Sequence, residues 1–111
     1  LTPYDSCRLI SINLTSFVSY PWSEHAEFEF SSLHEVAYKA QIVMDNIIDL
    51  EVEHIDDIIE KIKSDPEDDV TKSVELELWN KIKSKTLEGR RTGIGITGEG
   101  DMIAMLGLRY G

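Results

Sequence analysis

Cysteine is almost missing from this chain. Cys7 stands alone among 111 residues, so no internal disulfide can form and no disulfide scaffold holds the fold. A soft metal site is excluded on the same ground, because no second thiolate exists and His25, His34 and His54 lie in different segments without the spacing of a zinc pair. Long apolar runs are missing too. No stretch of about eighteen apolar residues could span a bilayer, and the N-terminus carries no basic segment followed by an apolar run and a small-residue cleavage site. With a lone thiol, this points to a reducing cytoplasm. Basic residues are scarce: 11 Lys and Arg against 21 Asp and Glu give a net charge of -10, which disfavours nucleic acid and anionic lipid as partners. The acidic surplus gathers between Glu51 and Asp69, where charges alternate with isoleucines, the pattern of a solvated helix face followed by an acidic turn.

What is present is enough for a folded chain. Hydrophobic residues make up 41% and charged residues 29%, outside the range of intrinsic disorder. The length supports one small domain, 1–111, which buries only about two-thirds of the surface its unfolded chain exposes. Pro3 and Pro21 bracket a run rich in Leu, Ile, Val and aromatics, which predicts a buried strand over Leu9 to Leu14. Beyond Pro21 the aromatics Trp22, Phe28 and Phe30 pin an irregular loop onto the core. Ser32 and Glu35 have the spacing of a capping box. The helix predicted there carries an apolar stripe of Leu33, Val36, Ala37, Ala40, Val43, Met44, Ile47 and Ile48. A second, shorter helix places Ile55, Ile58, Ile59 and Ile62 on one face and ends at Ser64, Asp65 and Pro66. Asp68 or Asp69 caps a third, with Val70, Val74, Leu78, Trp79 and Ile82 on one side and Gly89 as its stop. A β-like run follows over Thr92 to Thr97, then an apolar helix from Asp101 to Leu108. The order is strand, three helices, strand, helix, an α/β arrangement whose natural form is a right-handed parallel βαβ unit.

Few side chains are arranged for chemistry. Gly93, Gly95 and Gly98 spell G-x-G-x-x-G between a strand and a helix, but the acidic ribose ligand of a dinucleotide site would fall beyond Gly111. Tight helix-to-strand packing is the better account of these glycines. The carboxylate pairs Asp56 with Asp57 and Asp68 with Asp69 are adjacent in sequence and diverge on a helix, so neither can share a proton as a hydrolase requires. Arg90 and Arg91 can satisfy helix C-terminal carbonyls or neighbouring carboxylates, with phosphate contact the weaker alternative. Cys7, at the head of the first strand, reads from physics as an inert small hydrophobe, unless access and an electropositive setting such as Arg8 make it reactive.

Two literal strings go further. Pro3 to Leu14 (PYDSCRLISINL) and Gly89 to Gly98 (GRRTGIGITG) resemble, in order and separation, two segments of the ribonucleotide reductase large chain. The linking text, IIEKIKSDPE at Ile58 to Glu67 and ELELWNKI at Glu75 to Ile82, is similar to the class II, adenosylcobalamin-dependent branch. Arg8 and Ile10 depart from the asparagine and glycine common after the cysteine, and Glu99 stands where leucine is frequent. The resemblance implies a βαβ piece of a ten-stranded α/β barrel and a redox role for Cys7 as one of the cysteine pair that reduces the ribose. It further implies that the thiyl-radical cysteine, the second pair member, the specificity region, the cobalamin site and the phosphate-binding loop lie outside these residues, so that the chain alone is inactive and binds no adenosylcobalamin. The implied partners are the remainder of the reductase chain, a ribonucleotide substrate and a thioredoxin-like reductant. Open sheet edges add the expectation of a homodimer. The alternative is a non-catalytic oligomerising or regulatory module built from the same piece.

Overall fold

The computed structural model describes residues 1–111. Its first strand, β1, runs over Arg8–Asn13 and leads through a 3₁₀ turn at Leu14–Phe17 into the short strands β2 (Val18–Ser19) and β3 (Glu27–Phe28). Two long helices follow, α1 (Phe30–Ser64) and α2 (Asp69–Gly89), then strand β4 (Thr92–Thr97) and helix α3 (Glu99–Met105). β1 and β4 form one two-stranded sheet, and β2 and β3 form another. The Arg8 amide donates to the Arg91 carbonyl at 3.1 Å. Further along, Gly95 lies beside the Ile10 carbonyl and Gly98 beside the Asn13 side chain. Residue numbers therefore rise together along both strands, the parallel sense that a helical crossover permits.

Between β1 and β4 stand two helices, where the sequence predicts three. Nothing from Asp49 to His54 breaks a helix: the stretch holds no glycine or proline. The apolar face resumes in phase beyond this stretch, so that Ala40, Met44, Ile48, Ile55, Ile59 and Ile62 are all buried along one 35-residue helix. α1 also starts two residues before Ser32. The capping box does not form, because the Glu35 carboxylate accepts from Lys39 Nζ at 2.5 Å instead of reaching back.

The chain divides into two compact units. One comprises Leu1–Arg8 and Met44–Thr92, and is chiefly an antiparallel helical hairpin. Lys72 Nζ donates to the Lys63 carbonyl at 3.2 Å and Lys83 Nζ to Asp56 Oδ1 at 2.5 Å, so α2 runs back along α1. Asp68 caps α2: its Oδ1 accepts from the amides of Val70 and Thr71, each at 3.0 Å. At the other end Gly89 is still helical, and it is Arg90 that takes the left-handed conformation, φ 39°, with its amide donating to the Thr86 carbonyl. The predicted apolar side of α2 is only partly covered, since Val70, Val74 and Leu78 are exposed.

The second unit comprises Leu9–Val43 and Gly93–Gly111. Ile12, Phe17 and Ala40 form its buried centre, with Ile10, Phe28, Leu33 and Ala37 packed against them. β1 is buried on one face only: Ile10 and Ile12 point inward while Leu9 is 77% exposed, so the strand is not the fully buried one its composition suggests. The aromatic loop after Pro21 is closed by the β2 and β3 hairpin, with Val18 opposite Phe28 and Ser19 opposite Glu27. Phe28 packs edge-on against Phe17 and Phe30, as expected of aromatics that pin a loop, but Trp22 is exposed. α3 begins two residues earlier than Asp101 and ends at Met105.

Candidate functional site

The segment before β1 is held by its own short turn. The Asp5 amide donates to the Thr2 carbonyl at 3.1 Å, and the Ser6 amide to Asp5 Oδ1 at 2.9 Å. Asp5 also receives Arg91 Nε at 2.5 Å, and its side chain is 2% exposed. That hydrogen bond, chiefly, holds the Asp5 carboxyl below the usual carboxylate range. Cys7 follows, half-buried and free, its Sγ 3.9 Å from the Arg8 carbonyl oxygen, a weak sulfur contact. Cys7 immediately precedes β1, and alternation carried back one residue sets its side chain opposite that of Arg8.

Arg8 stands next to Cys7 in sequence. Its guanidinium turns to the helices, where it forks onto Glu51 of α1, with Nε 2.6 Å from Oε2 and Nη2 against Oε1. Nη2 also donates to Thr86 Oγ1 of α2 at 3.4 Å, and Nη1 to the Ser6 carbonyl at 3.3 Å. Thr86 is the one buried polar residue, 1% exposed. The Arg8 guanidinium, named in the sequence as a candidate electropositive neighbour of Cys7, is thus paired with the Glu51 carboxylate.

The arginines of the corner before β4 choose carboxylates. Arg90 reaches Asp45 Oδ1 from Nε at 3.1 Å and from Nη2 at 2.6 Å, and reaches Asp49 Oδ1 from Nη1 at 2.8 Å. Asp49 and Asp45 together make its guanidinium hold its charge more firmly. Of the G-x-G-x-x-G run, Gly93 and Gly95 lie in β4 and Gly98 caps α3 with φ 71°. A Cβ on Gly98 would stand 2.5 Å from Asn13 Oδ1, whereas one on Gly95 would meet nothing closer than 3.9 Å. Close packing therefore explains Gly98 and not Gly95. The three histidines are exposed and lie on separate turns, His25 in the hairpin loop and His34 and His54 on α1, and no group of three ligating side chains is placed to hold a metal ion. No helix is long and apolar enough to cross a membrane.

Sequence reasoning missed the acceptors of these arginines. Asp45 and Asp49 carry a signal, since carboxylates four apart on a helix present themselves together to one fork. Glu51 and Thr86 carry none, because only the fold brings them to Arg8.

These features define an α/β protein with two parallel strands separated in sequence by two long helices, and with a single thiol just before the first strand. The family model of the ribonucleotide reductase barrel domain matches residues 2–111, and the chain belongs to that family. No curated protein and no solved structure matches it.

Proposed function

We propose that this chain serves in the catalytic subunit of a ribonucleotide reductase of the class II, adenosylcobalamin-dependent branch, and that Cys7 is one thiol of the pair that reduces the ribose. The observation that carries the reductase reading is the family match over residues 2–111, joined to the position of Cys7 at the head of β1, while the class II branch is supported by the resemblance of the strings Ile58 to Glu67 and Glu75 to Ile82. In the reduction, two thiols supply two electrons and two hydrogens. The C2′–O bond breaks and a C2′–H bond forms, one thiol hydrogen ending on C2′ and the other leaving with the hydroxyl as water, while the two sulfurs join in an S–S bond. A thioredoxin-like dithiol then regenerates the pair by exchange at an accessible disulfide. Since Cys7 is alone here, the second thiol and the radical-forming cysteine belong to the remainder of the reductase, as do the ribonucleotide-binding loops.

Adenosylcobalamin finds no fit among these residues. The groove along Leu9, Ile10, Ser11, Gly93, Ile94 and Gly95, about 510 Å³, offers strand backbone and apolar side chains, and no histidine lines it. The cofactor belongs to the parent enzyme, which works in the cytoplasm, and no step is assigned to it in this chain. Leu9 and Ile96 are exposed beside it, and open edges of this kind pair readily, which favours a homodimer of the isolated chain.

The chain supplied alone with adenosylcobalamin, a ribonucleotide and a dithiol forms no deoxynucleotide; product formation would overturn the division of labour. In the reductase assembled with the second thiol, Cys7→Ser abolishes repeated turnover driven by a dithiol. Undiminished turnover would remove Cys7 from the reaction. Light scattering at micromolar concentration reads the dimer directly, and a monodisperse monomer would exclude it.

A further inference from the structure

Arg8 is an unusual residue to find at the start of a strand. Its side chain is 9% exposed, yet it is charged, and its guanidinium bonds to Glu51, Thr86 and the Ser6 carbonyl. The fork onto Glu51 fixes the plane of the guanidinium, and the bonds to Thr86 Oγ1 and the Ser6 carbonyl fix its other nitrogens. A strand whose register slips by one residue exchanges its two faces. Here such a slip would draw Cys7 toward the helices and part Arg8 from Glu51 and Thr86, a costly outcome for an arginine side chain 9% exposed and a threonine 1% exposed. The surroundings of the latch reinforce it: the same Arg8 donates its amide to Arg91, whose side chain holds Asp5, two residues before Cys7.

We propose that Arg8 is a positioning residue for Cys7: by locking onto Glu51 and Thr86 it fixes the register of the strand entrance and keeps the thiol on the face turned away from the helices. This rests on the reading of Cys7 as a redox thiol, since only a reacting sulfur needs its direction fixed. Arg8 does so through the backbone and touches no reacting atom. The three partners of the lock come from the N-terminal turn, α1 and α2, and two of them, Glu51 and Thr86, are far from the sulfur in sequence.

The test is the rate at which iodoacetamide alkylates Cys7 in the folded 111-residue chain, with no nucleotide or reductant present. A thiol with no redox role would still report its own positioning in this assay, so failure of the lock and failure of the redox reading are separable. Arg8→Met keeps the length of the side chain and removes the fork. Alkylation is expected to rise about tenfold as the strand entrance opens locally. Arg8→Lys, which keeps charge but not the planar fork, falls between. Asp68→Ala, which removes the α2 cap and lowers stability without touching Arg8, stays within about twofold of wild type. An unchanged rate in Arg8→Met, or an equal rise in Asp68→Ala, overturns the proposal. Should Arg8→Met lose its helical circular dichroism, Glu51→Gln decides on the same scale, because it breaks the fork while keeping the volume.

Discussion

Gly98 sits so close to Asn13 that a Cβ at this position would stand 2.5 Å from the Asn13 Oδ1 atom. That oxygen is already engaged, accepting from the Thr15 amide at 3.2 Å and the Thr15 hydroxyl at 2.9 Å, and cannot simply move aside. Gly98 also holds φ 71°, a conformation that costs an L-residue about 1–2 kcal/mol. Gly98→Ala is therefore expected to destabilise the chain by about 2–4 kcal/mol, strain and clash together. Gly100, two residues on and helical, has open space where its Cβ would be. Gly100→Ala should stabilise by about 0.5–1 kcal/mol. Urea denaturation of the two variants checks the contrast, and equal effects would show that the close approach is not real.

Arg90 carries two opposed contributions that substitution can separate. Its left-handed backbone favours glycine, while its side chain holds Asp45 and Asp49. Arg90→Ala gives up both ion pairs and keeps the strain, whereas Arg90→Gly gives up the pairs and relieves it. The glycine variant should exceed the alanine variant in stability by about 1 kcal/mol. Thermal unfolding of both measures this difference without reference to the strength of the pairs themselves.

The Asp5 and Arg91 contact predicts a pH dependence of definite sign. Asp5 titrates below its ordinary value of 3.8 in the folded chain. A carboxyl of this kind contributes stability above its unfolded value and loses it as pH falls through its folded one. The difference in thermal midpoint between wild type and Arg91→Gln should hold constant from neutrality to about pH 5 and shrink below about pH 4. A difference that grows on acidification would contradict the assignment.

Cys7→Ser should fold normally. The thiol is half-buried and makes one weak contact, so the hydroxyl costs about 1–2 kcal/mol at most. A variant largely unfolded at room temperature would make Cys7 a packing residue and weaken its place in the chemistry.

How much of this could be read beforehand differs from element to element. The place of β4 around Thr92 to Thr97 was legible, and the cap of α2 was legible as Asp68 or Asp69, because both depend on neighbours in sequence. The continuity of α1 was harder: Asp49 to His54 looked like a gap only because acidic residues interrupt the stripe, while nothing there stops a helix. The tiny strands β2 and β3 leave no periodic trace, being two residues each. Cys7 at a strand entrance followed from the string around it, but the fork of Arg8 onto Glu51 spans 43 positions and exists only once the helical hairpin is built. Long-range polar pairs are the part of a fold that a single sequence conceals, since neither partner's local pattern changes when the other is present.

Thr86 shows what such pairing does to the tolerance of a position for replacement. Its hydroxyl faces Arg8, its carbonyl takes the amide of Arg90, and it has almost no contact with water. Serine would keep the acceptor but leave a methyl-sized void, and valine would fill the void but leave a guanidinium nitrogen short of an acceptor; each is expected to cost about 1 kcal/mol or more. No other amino acid offers both the volume and the oxygen. One unremarkable side chain in the last turn of α2 should therefore be among the least interchangeable in the chain, and a saturation library selected for folding should return threonine there almost alone.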